Sequence, residues 1–296
     1  MHHFPLLLTG VGGRLGQLVA ERLIDADPTA PLVGTSRHPE RLDSLILRGM
    51  SLRRADFDDP NSLSSAFAGA RRMLLISTGA ANAGPRRVRQ HTEAIEAAWR
   101  AGIGHIAYTS FLEADASPLR ALAEDHARTE HVLAQGQAGF TILRHALYME
   151  MLLTTLPPAI ASGRLLSSND RAGVAYIARD DCASADAAAL RDGFEGRRTL
   201  HITGGQAVTT AELVRQVNET LGTCIVHVEA SRQEVAAHLV ACGMPPPMAQ
   251  LLAAMDEGLG QGAMARVSDD FEQLTHSRPT GIEAFLRRHR DVLVAR

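Results

Sequence analysis

The sequence predicts an α/β fold: a parallel sheet with helices on both faces, followed by a smaller, mainly helical region. Three observations carry this. Short apolar runs alternate with segments of helical period through the first half of the chain. A glycine-rich turn joins the first run to the first helix. After about residue 150 the alternation gives way to helical segments.

The run Pro5-Leu6-Leu7-Leu8-Thr9 is apolar without alternation, as a strand covered on both sides requires. Leu15, Leu18, Val19, Leu23 and Ile24 then follow helical spacing. Pro31 to Thr35 reads as the second strand and 39–47 as a helix. Ser51 to Ala55 is a weaker third strand and 61–67 a third helix. Met73-Leu74-Leu75-Ile76-Ser77 is the fourth strand, 88–101 a long helix, and 103–110 the fifth strand, which ends in Tyr108-Thr109-Ser110. A helix over 119–135 and a sixth strand over 140–143 complete the series. Strands joined through helices of this length pair in parallel.

Two strands near 173–178 and 199–203 are expected to return to this sheet, giving a first domain over 1–155 and a smaller substrate or lid domain over 156–296. Three helix starts carry capping-box spacing, Thr209 with Glu212, Ser231 with Glu234 and Thr280 with Glu283. Pro245-Pro246-Pro247 is expected to be a loop, since successive prolines cannot continue a helix. The glycines from Gly258 to Gly262 are expected to form a second loop, and both are assigned as mobile parts of a lid.

Composition narrows the function. The 296 residues carry 30 basic and 33 acidic side chains, a net charge of −3, which argues against nucleic acid as the main partner. All 30 basic residues are arginine. A chain without lysine has no Schiff-base chemistry, no GKS- or GKT-type phosphate loop and no Tyr-x-x-x-Lys pair. Cys182, Cys224 and Cys242 are scattered and odd in number, which suggests buried inert thiols in a reducing cytoplasm. No apolar run approaches the ~18 residues that span a bilayer. No metal is expected: H-E-x-x-H does not occur, and His126 and His131 are five apart, off a common helix face. A homodimer is left open.

The turn Thr9-Gly10-Val11-Gly12-Gly13-Arg14-Leu15-Gly16 stands in strand-turn-helix context. Gly10 permits the tight turn, Gly13 lets the backbone approach a pyrophosphate, and Gly16 lets helix and strand pack closely. The helix start then presents free N–H groups to the phosphates. This is the signature of a Rossmann-type, doubly wound parallel sheet binding a dinucleotide. An NAD enzyme commonly carries an acid about 20 residues further on, for the ribose 2′-hydroxyl. Here the second strand ends in Gly34-Thr35-Ser36-Arg37-His38, with no acid. Arg37 either bonds a 2′-phosphate, selecting NADPH over NADH, or is a solvated arginine opening the next helix. Asp56 and Phe57 stand where such folds touch adenine, or form an ordinary Asp turn. Ser77, Thr78 and Gly79 end the fourth strand and face the crevice.

With these residues the chain resembles the atypical short-chain dehydrogenases of the NmrA-like group, and within it the bacterial type 2 NAD(P)H:quinone oxidoreductases. The narrowest match is Tyr108-Thr109-Ser110-Phe111-Leu112-Glu113-Ala114-Asp115-Ala116-Ser117-Pro118-Leu119, followed by Glu124-Asp125-His126 and Thr129-Glu130. The resemblance covers nearly the whole chain and implies reduction of a quinone by NADPH, by direct hydride transfer without flavin or metal. It implies cofactor contacts at Gly10, Val11, Gly12, Gly13, Arg14, Leu15, Arg37, Ser77, Thr78 and Gly79, at the strand end Tyr108, Thr109 and Ser110, and at Ala146, Leu147 and Tyr148. The last segment departs from the family, which reads Leu-Arg-Asn-Gly-Trp-Tyr-x-Glu-Asn. This chain has Leu143-Arg144-His145-Ala146-Leu147-Tyr148-Met149-Glu150-Met151.

An ordinary short-chain dehydrogenase protonates an alkoxide with a tyrosine and a nearby lysine. Here His126, sixteen positions after Ser110, stands about where that lysine would be. A hydroquinone anion is far less basic than an alkoxide, so water or a histidine can supply the proton. His126 has three candidate roles: a bond to the nicotinamide, proton donation, or a structural helix histidine. Tyr148 is a candidate pocket residue or a core aromatic. Ser110 is a candidate nicotinamide contact or a strand-end cap. The rival class is a dinucleotide-binding redox sensor that acts on a partner without turnover, which NmrA-like proteins include.

Overall fold

The computed structural model describes residues 4–79, 82–169 and 171–294. Among them, strands β1 (Leu6–Leu8), β2 (Leu32–Ser36), β3 (Ser51–Arg54), β4 (Arg72–Leu75), β5 (His105–Phe111), β6 (Gly139–His145) and β8 (Arg197–Ile202) form one parallel sheet in the order β3-β2-β1-β4-β5-β6-β8. β1 is central and wholly buried. Leu6 and Leu8 point into one core layer and Leu7 into the other. α1 (Arg14–Ala26), α7 (Arg179–Arg191) and α11 (Asp270–Thr275) cover the first face. α3 (Pro60–Phe67), α4 (Pro85–Arg100) and α5 (Arg120–Gln135) cover the second. The chain steps outward from β1 to β3, then returns to the other side of β1 with β4. Where strand order reverses, the C-terminal ends of β1 and β4 open a crevice.

Residue 155 falls inside α6 (Leu152–Ser162), and α7, β8 and α11 beyond it belong to the main sheet and its cover. Arg72 of β4 fixes this arrangement. Its guanidinium donates to the carbonyls of Ala189, Leu190 and Phe194 and pairs with Asp192, so it satisfies the free carbonyl end of α7.

The remaining chain packs a separate apolar core. α8 (Thr210–Leu221), α12 (Ile282–Arg288) and α13 (Arg290–Leu293) close on α6 through Leu156, Val217, Phe285 and Leu286. β7 (Arg164–Ser167) pairs in parallel with β9 (Val226–Glu229), and α9 (Arg232–Ala241) packs on α10 (Pro246–Gly260) beside them.

Four expectations are corrected here. The segment 173–178 forms no strand, because its backbone bonds go to five different residues. Val174 pairs with Val208, Ala175 with Met264 and Gly204, and Ile177 with Leu147 and Met149. Thr209 and Ser231 each close a capping box, but Thr280 does not. Its N–H and hydroxyl both bond the Asp181 carboxylate, and the helix is capped by Gly281 instead. Pro246 and Pro247 open α10 rather than a loop, since the first turn of a helix has no use for those N–H groups. Gly258 and Gly260 also lie inside α10. A Cβ at Gly258 would stand 2.3 Å from Leu119 Cδ2, so that glycine serves close packing rather than looseness.

Candidate active site

The turn after β1 has the geometry of a phosphate cradle. Gly10 takes a left-handed φ of 70°, and the Gly13 N–H closes the turn onto its carbonyl at 2.9 Å. A Cβ at Gly16 would lie 2.2 Å from that same carbonyl oxygen, so only glycine lets α1 start this close to β1. α1 begins with no side-chain cap and no acid in its first turn, so its N-terminal N–H groups remain free for an anion. Val11 is fully buried, packs against the Gly34 position, and donates its N–H to the Thr35 carbonyl at 3.2 Å, so it ties the turn to β2. Gly12, Gly13 and Arg14 are exposed, and Leu15 is half-buried.

The ends of β2 and β3 add charge. Arg37 is exposed and makes no ion pair among the described residues. Register pairs Ser36 with Arg54, whose side chain is likewise exposed and unpaired among the described residues. Arg54 escaped the sequence reading; its signal was a second arginine closing a strand parallel to β2. Asp56 and Phe57 follow at half-buried positions, with the Asp56 N–H donating to Ser62 Oγ. Beside them the Arg86 guanidinium, with Arg89 and Gln90, holds the Asp58 carboxyl down to about 2 and ties this loop to α4.

The rim of β4 and β5 is knitted by short side chains. Thr9 Oγ1 accepts from Ile76 N at 3.0 Å, and Thr109 Oγ1 accepts from Ser77 N at 2.9 Å. Thr78 N donates to His91 Nε2 at 3.0 Å, which leaves the other ring nitrogen of His91 to donate to Thr129 at 3.0 Å. Ser77 and Thr78 are thus held in a fixed frame at the C-terminal end of β4, and Gly79 follows them.

Two expected roles are corrected. Tyr108 is fully buried, facing α4 and α5, and its hydroxyl lies 2.9 Å from His126 Nδ1 and 3.4 Å from His91 Nδ1, so its side chain does not reach the crevice. His126 is buried as well, stacked on Phe111 with its Nε2 3.4 Å from Arg87. Burial, reinforced by the Arg87 charge, lowers its pKa to about 3 and so favours the neutral ring. His91 is lowered to about 3 by the same causes, burial first and then the charges of His126 and Arg87.

Ser110 donates to Glu130 Oε1 at 2.6 Å, and Glu130 takes Arg144 in a two-toothed pair at 3.0 and 2.6 Å. On the opposite face of β6, His145 Nε2 sits 2.9 Å from Asp186 Oδ1 and its Nδ1 is 3.0 Å from the Tyr148 hydroxyl. The Arg179 guanidinium lies 5.1 Å above the Tyr148 ring. Asp186 is completely buried, and that burial pushes its carboxyl up against the pull of His145. Tyr148 is therefore held from behind by an Asp–His pair. Asp186 went unseen because it comes from α7, in an alanine-rich stretch without a motif. Ala146 is buried, and Leu147 lines the apolar cavity described below. Among the described residues no group of three or more His, Cys, Asp or Glu side chains could hold a metal ion.

A phosphate cradle at a strand-order reversal, an arginine-rich far end and the absence of any Tyr–Lys pair define an atypical short-chain oxidoreductase. Comparison with known proteins agrees. A family model described as NAD(P)H-binding matches residues 10–193. Quinone oxidoreductase 2 of Escherichia coli (strain K12) is 32% identical over 259 residues, 88% of this chain and 89% of that one. The crystal structure of an NADPH-dependent quinone oxidoreductase from Escherichia coli, complexed with NADPH, superimposes with a TM-score of 0.88 at 31% identity, covering 96% of this chain and 99% of that one. The Citrobacter sp. triphenylmethane reductase complexed with NADP(H) gives a TM-score of 0.88 at 30% identity, with the same coverage. The chain belongs to the NAD(P)H-binding, NmrA-like family and is an NAD(P)H-dependent oxidoreductase.

Proposed function

We propose that the protein reduces a quinone with NADPH by direct hydride transfer, without flavin or metal. The observation that carries this reading is the lack of a Tyr–Lys pair at the crevice. No lysine exists, Tyr108 is buried out of reach, and His126 is enclosed by Phe111, Tyr108 and Arg87. Such a site is poorly equipped to protonate an alkoxide and suited to an acceptor whose reduced form is a weakly basic phenolate-like anion. Bound at the crevice, the nicotinamide would supply the hydride. The chain's own part is to position. Ser77, Thr78 and Gly79 would border the ring, Ser110 and the Glu130–Arg144 pair would fix one wall, and Tyr148 braced by His145 the other. Arg37, Arg14 and Arg54 favour the 2′-phosphate of NADPH. Tyr148, with its hydroxyl proton directed to His145, orients the acceptor. The free thiols of Cys182, Cys224 and Cys242 support a cytoplasmic setting.

The test follows NADPH oxidation by the purified protein with a panel of benzoquinones and naphthoquinones, beside Arg37→Ala. Quinone-dependent turnover is expected, with the KM for NADPH raised about tenfold in the variant, the loss of one charge-assisted phosphate contact. Tight NADPH binding without turnover on any quinone would overturn the reductase reading and leave the sensor.

A further inference from the structure

Between α6, β7, α9 and α10 lies a cavity of about 110 Å³. Its walls are apolar, with Leu156 from α6, Leu166 from β7, Val235 and Leu239 from α9, and Leu252 and Met255 from α10. Leu147, next to Tyr148 in the chain, also lines it, so the cavity reaches the segment that follows β6. Its volume is less than the roughly 150 Å³ of an enclosed cavity that holds benzene, but the cavity is partly open, so one six-membered ring or a short branched alkyl group is the most that it accepts.

One pole of the cavity is polar, and most of its groups are occupied. Asp256 accepts from Ser167 Oγ at 2.7 Å and from the Ser168 N–H and hydroxyl at 2.5 and 2.7 Å. The Thr210 hydroxyl donates to the Asn169 carbonyl at 2.7 Å, and the Asn169 N–H donates to Ser167 Oγ at 2.9 Å. Asn169 Oδ1 is buried there and left over. Asn169 is 2% exposed, lines the cavity, and its amide oxygen has no partner among the described residues. Gly260 lets α10 approach the Asn169 backbone closely, since a Cβ there would stand 3.2 Å from Asn169 Cα. A buried acceptor left without a donor is costly, and a ligand that brings the donor recovers that cost.

We propose that this cavity is a substrate subsite for a ring bearing a hydrogen-bond donor, a hydroxyl above all, which donates to Asn169 Oδ1. The assignment rests on the reductase reading for what the ring is attached to: a substituent of the acceptor reduced beside Tyr148. It does not rest on that reading for the ligand chemistry. The site discriminates by the donor, because a ring of equal size without one leaves the amide oxygen unpaired.

Calorimetric titration of the whole protein with phenol and with toluene, a ring of nearly equal size without the donor, tests the ligand class without turnover. Phenol is expected to bind about tenfold more tightly, the worth of one hydrogen bond at a buried site. Asn169→Leu is expected to abolish that preference, and Leu239→Trp, which fills the cavity, to remove binding of both rings; thermal melts check that each variant is folded. Equal binding of the two rings, a preference that survives Asn169→Leu, or phenol binding unchanged by Leu239→Trp would overturn the proposal. A second measurement joins it to the reaction: a benzoquinone with a hydroxyphenyl arm should exceed its methoxyphenyl counterpart about fivefold in kcat/KM, and equal values would remove the subsite from the catalytic path. Phenol preference without reduction of any quinone would uphold the ligand class and sink the reductase reading alone.

Discussion

The two ends of the crevice are built on opposite principles. At the phosphate end, backbone N–H groups and the Arg14, Arg37 and Arg54 side chains are left unpaired and exposed, ready for an anion. At the other end nearly every polar group is already spoken for. Ser110, Glu130 and Arg144 form one closed set, and Tyr148, His145 and Asp186 form another. One end has groups left for a ligand to complete, whereas the other is bonded within itself. On the proposed function, affinity for the cofactor and selectivity for the acceptor are thereby separated along one groove.

Breaking the first end should have the largest effect. Gly16→Val sets a side chain against the Gly10 carbonyl, and calorimetry is expected to show NADPH affinity lost by more than about 100-fold. If binding survives, the cradle is not where the phosphates sit. Breaking the second end should cost folding before affinity. Asp186→Ala strips His145 of its buried partner and is expected to lower the unfolding free energy by about 3 kcal/mol in urea titration, with NADPH affinity nearly intact.

The buried histidines sharpen the contrast through pH. His91 and His126 have folded pKa values near 3 against about 6.5 in an unfolded chain. Between those values the unfolded state binds more protons, so stability falls as pH drops from about 6.5 towards 3 and is flat from this source above 6.5. Each histidine contributes a slope of about 1 kcal/mol per pH unit, and His126→Gln should remove one such increment between pH 6 and 4. An unchanged slope would mean that His126 is not held neutral. The smallest effect is expected from Ser110→Ala, which deletes one bond to Glu130. About 1 kcal/mol of stability should go while the KM for NADPH barely moves. A KM raised tenfold would make Ser110 a cofactor ligand instead.

The same division decides what the sequence discloses. The phosphate end is read directly, because Gly10, Gly13 and Gly16 are neighbours in the chain and obey a backbone rule. The order of strands and helices through β6 is equally readable, since apolar runs and helical spacing are local. The nicotinamide end is not. Its residues come from β5, α5, β6 and α7, and only the fold decides that Asp186 lies under His145 or that Tyr108 turns inward. His126 shows the limit most clearly. Its position suggested a lysine's place, but its chemistry is set by Phe111, Tyr108 and Arg87, which close over it. The prolines and glycines of α10 misled in another way. Pro246 and Pro247 are permitted at a helix start, and Gly258 is demanded by Leu119, a contact no local pattern shows.

The grip of Arg72 on α7 has a consequence for how the chain is made. A guanidinium 8% exposed in β4 finds its partners at Ala189, Leu190, Asp192 and Phe194, more than a hundred residues later. Without that helix the guanidinium has only water to bond, and one face of the strand lacks its cover. A fragment ending after β6 is therefore expected to stay loosely collapsed, because the contact that closes the sheet spans more than a hundred residues of chain.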